Sequence, residues 1–277
     1  MTWRNPLMAL ALTMPLALQA NPARFYANVE KQQAAPEAYA LSEDNQPWLE
    51  QAHRQRALDA HKFVAALKQS KALYQQLKTW PDLTFEQRMA LLPEVFKIEC
   101  ETFGITPPAL IINTTLYPQR PVNFVFDVRN PGSGLVYLNP DKLKTMEVWA
   151  PLAFLVHETR HAWQYQLAFS DQGMMAAGYK QAFTTQSKLE GASFSDFLTL
   201  LNEYEAFQFG NHVLELLTEG EFDSVMMGTF ASQFDEHQQL KIDLTTLGKN
   251  TEKKSVLEQF NEAMKVQYEL RYPAKEQ

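Results

Sequence analysis

The stretch HETRHAWQ, residues 157 to 164, carries the residue types and the spacing that best fit a metal site in this 277-residue chain. His157 and His161 stand four positions apart, so on an α-helix both side chains lie on one face, one turn apart. Two imidazoles placed in this way can bind a single zinc ion, at Zn–N distances of about 2.0–2.1 Å. Glu158 points about 100° round the helix and need not coordinate. The spacing therefore predicts a zinc site with Glu158 beside it as general base, taking a proton from a metal-bound water.

The residues just before the motif, Trp149 to Val156, are apolar on every side of the predicted helix. This pattern indicates that the helix is buried where the histidines begin. Buried imidazoles and a buried carboxylate need partners, because unpaired buried polar groups cost free energy. Two interpretations follow: a metal centre, or two core histidines whose hydrogen bonds are satisfied by carbonyl groups.

A catalytic zinc ion normally has three protein ligands, so a further ligand is expected outside the motif. Asp171, ten residues after His161, is a possible carboxylate ligand, but the segment 200–217 is the better source. Glu203 shares one helical face with apolar and small residues, and a glutamate on such a face needs a positive partner. We therefore expect Glu203 to be the third ligand, with Glu205, on a more polar face, in reserve.

HETRHAWQ, followed about forty residues later by NEYEA, resembles the glutamate-zincin (gluzincin) branch of the HExxH zinc metallopeptidases, with no particular family identified. The resemblance covers roughly residues 134–215. It implies a zincin-like domain that binds one Zn²⁺ per chain through His157, His161 and Glu203, and that hydrolyses peptide bonds with Glu158 as general base. It also implies that the strand Gly134–Asn139 borders the cleft and pairs with an extended substrate.

The sequence departs from this pattern at Phe207, where many relatives carry an aspartate that orients a zinc-bound histidine. Asn202, Asp196 or a backbone carbonyl are candidates to replace that aspartate. The departure favours an alternative function, a zincin-fold zinc-binding or scaffold protein without efficient catalysis. A helical interaction protein without metal is a further alternative.

Transition-state stabilisation in such a site would need a hydrogen-bond donor close to the metal. Tyr165, Tyr204 and His212 are the candidates, and His237 is a weaker one. Residues 173–179, between the two ligand segments, are interpreted as a mobile lid or as a loop with a Met-lined underside.

Composition limits the partners. The formal net charge is −7 and no basic stripe is present, which argues against nucleic acid as a partner. The resemblance to metallopeptidases implies a peptide or protein substrate. Cys100 is the only cysteine, so neither an intrachain disulfide nor a cysteine zinc site can form.

The first twenty residues are typical of a signal peptide. Arg4 precedes an apolar run from Leu7 to Leu18, and cleavage is expected near Ala20. The run is too short for a stable membrane span, so we expect an exported protein, periplasmic or secreted, with no span after cleavage. Residues 21–46 are interpreted as a flexible leader or a short pro-segment.

The remaining residues, 47–277, are predicted to form a single α+β domain. It is expected to be mainly helical, with a small, mostly antiparallel sheet before the active-site helix. Helices fill residues 47–103, the sheet and the zinc-site helices fill 109–217, and C-terminal helices fill 218–277.

Strands are predicted at Ala109–Tyr117, Val122–Val128 and Gly134–Asn139, the last two as an antiparallel hairpin. Thr84 and Gln87 form a capping box that opens a helix ended by Gly104, with Pro93 expected to kink or break it.

Overall fold

The computed structural model describes residues 21–220, 242–247 and 254–271. The predicted signal peptide and His237 lie outside these residues. The described chain is mostly helical with one small sheet, which confirms the α+β class.

The strands are β1 (Ala109–Ile112), β2 (Val122–Val125) and β3 (Leu135–Leu138). The α-helices are α1 (Val29–Gln33), α2 (Gln46–Gln69), α3 (Lys71–Lys78), α4 (Phe85–Phe103), α5 (Pro140–Leu143), α6 (Ala150–Ser170), α7 (Met174–Gln186), α8 (Phe194–Leu198), α9 (Leu201–Thr218), α10 (Leu244–Leu247) and α11 (Val256–Arg271). Short 3-10 helices cover Pro22–Arg24, Pro36–Ala38, Glu43–Asn45 and Trp80–Asp82.

Helix α6, which carries HETRHAWQ, lies at the centre of the core. Sixteen of its 21 residues are buried, as its apolar first half predicts. It packs against α4, α7 and α9 and against strands β2 and β3. Helix α9, which carries NEYEA, packs against both α2 and α6. At Gly210 the contact between α9 and α6 has space for a methyl group, since a Cβ at this position would lie 3.7 Å from the carbonyl oxygen of Ala153.

The sheet has the strand order β1-β3-β2. Strands β2 and β3 are antiparallel, which confirms the predicted hairpin, but β1 runs parallel to β3. The sheet is therefore mixed, and the prediction of a mostly antiparallel sheet is wrong.

The expectation that β3 pairs with an extended substrate is also wrong, because β3 lies between β1 and β2 and is hydrogen-bonded on both sides. Strand β2 lies at an edge of the sheet and packs against α6.

The helices before the sheet follow the sequence closely. The Thr84–Gln87 capping box is present at the start of α4, and Gly104 ends that helix with φ 63°. Pro93 lies within α4 without ending it. The helical part predicted over residues 47–103 begins with α2 and α3, which are divided at Ser70.

Residues 21–46, here termed the N-terminal segment, are packed on the helical body. The Phe25 ring stacks on Phe194 with centroids 5.2 Å apart, and residues 38–41 are buried. The Ala40 N–H donates to the Thr199 carbonyl at 2.7 Å, and Tyr39 forms an antiparallel bridge with Leu200. The expected flexibility is wrong for this segment, because its apolar residues are part of the core. Its role as a pro-segment stays a prediction.

Residues 173–179 are not a loop. They form the start of α7, where Met175 and Tyr179 are buried. Gly178 lies against the indole of Trp48, so the interpretation as a mobile lid is wrong. Among the described residues, no helix has both the length and the hydropathy that crossing a bilayer requires.

Candidate metal centre

Helices α6 and α9 bring His157, His161 and Glu203 together in the core. The Glu203 Oε2 atom lies 3.3 Å from Nε2 of His157 and 3.3 Å from Nε2 of His161. One ligand atom from each residue lies within 4.8 Å of the others, a grouping that could hold a metal ion. All three side chains are buried. The helical spacing that made Glu203 the expected third ligand thus corresponds to a real cluster.

The polar atoms of this cluster fit a cation. Among the described residues, the buried Glu203 Oε2 accepts no hydrogen bond, and its contacts are with the two imidazoles. A buried carboxylate oxygen without a donor costs free energy, and a cation held between the three ligand atoms would remove that cost. Two imidazoles and one carboxylate form a donor set that catalytic zinc sites use, with a fourth position left for water or substrate. The residues present therefore fit a divalent metal ion.

Without a metal ion, Glu203 and His161 form a buried ion pair. Burial would raise the pKa of Glu203, but the adjacent His161 lowers it to about 2. Burial would likewise lower the pKa of His161, and the Glu203 charge instead raises it to about 9. The pKa of His157 is lowered by burial and by the positive His161. A bound cation could therefore take the place of the positive charge on His161 in balancing Glu203.

Glu158 lies beside the cluster without belonging to it. Its side chain is 4% exposed. Burial, reinforced by the negative Glu203, raises its pKa to about 8, although His161, the Phe124 backbone N–H and Arg120 act in the opposite direction. A carboxyl group whose pKa is close to neutrality can both accept and release a proton there.

Glu205, the reserve ligand, is not part of the cluster. It forms a bidentate pair with Arg160, with Nη2–Oε1 at 2.7 Å and Nε–Oε2 at 3.1 Å. The Arg160 guanidinium also lies 2.9 Å from Asp59 Oδ2 and 3.7 Å from the Trp163 ring centroid. The expectation that Glu205 lies on a polar, solvent-facing surface is wrong, because the arginine inside the motif is itself buried and requires that carboxylate.

Two glutamines contact the ligand side chains, and sequence reasoning missed both roles. Gln164 Oε1 lies 2.8 Å from Nδ1 of His161, and the amide of Gln186 donates to Oε1 of Glu203. Gln164 follows His161 by three residues, a spacing that places both on one helix face and could have revealed the contact. Gln186 comes from α7, and no local pattern relates it to Glu203.

The position of the missing aspartate is filled by an aromatic ring. The Phe207 ring lies 4.2 Å from the His157 ring, centroid to centroid. Of the proposed replacements, Asn202 contributes its backbone carbonyl, which accepts from Gln164 Nε2 at 2.9 Å. Asp196 instead caps α8 through Ser193 and accepts from the Asn28 N–H.

The candidate transition-state stabilisers have other partners. The Tyr165 hydroxyl donates to the Asp127 carbonyl at 2.6 Å. Burial raises the pKa of Tyr204, whose other electrostatic partners include Gln208 and Arg56. The His212 ring packs against His61 with centroids 5.6 Å apart. Asp171 is exposed and accepts from the Gln172 and Gly173 backbone N–H groups.

No protein-family model matches the chain, and comparisons with curated proteins and with solved structures give no match. The function therefore has to be inferred from the site itself.

Proposed function

We propose that this chain is an exported zinc-dependent metallopeptidase of the gluzincin type. The observation that carries the proposal is the convergence of His157 Nε2, His161 Nε2 and Glu203 Oε2, with Glu158 buried beside them. The proposed export, to the periplasm or the medium, is supported by the pattern of residues 1–20.

A zinc ion in this cluster would polarise the scissile carbonyl and lower the pKa of a water molecule. His157, His161 and Glu203 hold the ion. Glu158 would accept a proton from the attacking water and deliver it to the leaving amine.

Strand β2 is the proposed docking edge for an extended peptide, in place of β3. It pairs with β3 on one side only. The backbone N–H of Phe124, in the middle of β2, acts on the Glu158 carboxyl, so this strand passes beside the proposed base. A peptide that adds to a free strand edge gains main-chain hydrogen bonds and presents its carbonyls in a fixed register.

Zinc content and peptide hydrolysis of wild type and Glu158→Gln test the proposal. We expect one zinc ion per chain in both proteins, because Glu158 is not a ligand. Hydrolysis of a quenched-fluorescence peptide library should fall by about 10²–10⁴-fold in the variant, the usual contribution of a general base. Full activity in Glu158→Gln would contradict the assignment of Glu158 as general base. Absence of zinc from the wild-type protein would contradict the proposed enzymatic function.

The second candidate function is a zinc-binding or scaffold protein without efficient catalysis. The observation that favours it is the Phe207 ring against His157, where a carboxylate would strengthen the ligand. Stoichiometric zinc in a wild-type protein that cleaves no member of the peptide library would select this function.

A further inference from the structure

We infer that two buried glutamines, Gln164 and Gln186, position the metal ligands, each binding one atom of a ligand so that its other atom faces the ion. The inference rests on the proposed metal centre and adds the residues that hold it in place. Both glutamines are buried, at 0% and 1% exposure.

The orientation of the Gln164 amide follows from its neighbours. Its Nε2 lies 2.9 Å from the Asn202 carbonyl oxygen and 2.5 Å from Glu205 Oε2. Both neighbours are acceptors, so the NH₂ group must face them and Oε1 must face His161. Nδ1 of His161 then has to carry the proton of the 2.8 Å contact. Nε2 is consequently the nitrogen of His161 that is left to bind the ion.

Glu205 gains a role from this arrangement. The Arg160 guanidinium holds it from one side, and Gln164 donates to it from the other. Arg160 is in turn held by Asp59 of α2. A row of buried side chains therefore runs from α2 to His161 and prevents the Gln164 amide from turning.

Gln186 positions Glu203 in the same way that Gln164 positions His161, by binding one of its polar atoms. Its Oε1 accepts from the Asn202 side-chain amide at 2.6 Å, which directs its NH₂ group to Glu203 Oε1. Among the described residues, no hydrogen-bond donor contacts Oε2 of Glu203, the oxygen between the two histidines. The carboxylate is thereby prepared to bind through one oxygen.

The partner of His161 does not come from the glutamate helix. A histidine ligand needs a partner for its second nitrogen, and an aspartate on the glutamate helix is one source. Here the partner of His161 comes from α6 itself, whereas the Phe207 ring of α9 lies against His157. The amides also add no negative charge, whereas a carboxylate partner would make the imidazole more basic.

Zinc affinity of Gln164→Met and Gln186→Met, measured by competition with a chromophoric chelator, tests the inference. Methionine keeps the length of the side chain and removes both amide groups. We expect each variant to bind zinc about 10–100-fold more weakly than wild type, the usual cost of losing such a partner. Gln181→Met is the matched control, because Gln181 is an exposed residue of α7, and it should bind zinc like wild type. Circular dichroism identifies the temperature at which all the proteins are folded.

Proton NMR of the zinc-loaded wild type provides a measurement that needs no variant. The Nδ1 proton of His161 should exchange slowly with water, because it is buried and bound to Gln164. Wild-type affinity in both methionine variants, or rapid exchange of this proton, would overturn the positioning role while leaving the proposed peptidase intact. Wild type without zinc would overturn both.

Discussion

At the residue scale, the two glutamates of NEYEA perform opposite tasks although they are two positions apart. Two residues correspond to about 200° round a helix, so Glu203 and Glu205 face different neighbours. Glu203 meets two histidines, which can lose their protons, whereas Glu205 meets Arg160, which cannot. The charge of Glu203 can therefore be balanced by a protonated histidine or by a metal ion, whereas Glu205 must stay charged to keep the core intact.

Glu203→Gln and Glu205→Gln should separate metal binding from folding. Glu203→Gln should lose zinc at a small cost in stability, because His161 can release its proton once the carboxylate is gone. Glu205→Gln should keep a zinc site but lose about 3–5 kcal/mol of unfolding free energy. The substitution removes the negative charge that pairs with the buried Arg160 guanidinium. Zinc analysis and urea unfolding in the presence of chelator measure the two effects. The reverse ranking of stabilities would contradict the assignment.

At the scale of the elements, two glycines lie where helices around the site meet, and their surroundings differ. Gly178 of α7 faces Trp48 of α2, and a Cβ there would lie 2.2 Å from the indole Nε1. Gly210 of α9 faces α6 at ordinary van der Waals distances, 3.7 Å from the Ala153 carbonyl oxygen and 3.9 Å from the His157 Cβ. The contact at Gly178 has no space for a methyl group, whereas the contact at Gly210 has enough space for one.

Alanine at these two positions should have opposite effects on stability. Each substitution gains about 1 kcal/mol of helix propensity. In Gly178→Ala, overpacking against the buried indole should cost about 1–3 kcal/mol and lower the melting temperature. Gly210→Ala should melt at or above the wild-type temperature. Thermal unfolding followed by circular dichroism compares them, and a stabilised Gly178→Ala would show that α7 can move away from α2.

At the scale of the whole molecule, the folding equilibrium should respond to acid through His212. Burial, together with Arg56, His61 and His53 of α2, lowers its pKa to about 3. Between about pH 6.5 and pH 3 the unfolded chain therefore binds a proton at this residue that the folded chain does not. The folded state loses stability as the pH falls through that interval and keeps it above pH 6.5.

His212→Asn should consequently flatten the dependence of stability on pH. Urea unfolding at pH 7 and pH 4.5 gives the stability change on acidification for each protein. We expect a smaller loss in the variant, because asparagine does not titrate, whatever the substitution costs at pH 7. Equal losses in the two proteins would show that His212 does not contribute to acid sensitivity.

The sequence predicts the local parts of this molecule better than the distant ones. The HETRHAWQ spacing and the apolar face around Glu203 are repeats along a helix, so the cluster of His157, His161 and Glu203 could be anticipated. The burial of Glu205 could not, because it depends on Arg160 and Asp59 meeting across two other helices. The parallel pairing of β1 with β3 likewise depends on the path of the chain between them. Glutamines have no charge or apolar pattern, so Gln186 gave no signal.

The N-terminal segment has a consequence for how the chain can be cut. Its bond from Ala40 to Thr199 and its bridge from Tyr39 to Leu200 hold the residues that lead directly into α9. Glu203 follows only a few residues later. Proteolytic trimming to Pro47, where the long helices begin, would release the entrance of α9 and loosen the glutamate from the two histidines. A cut in the N-terminal segment would in this way act on the helix that carries Glu203.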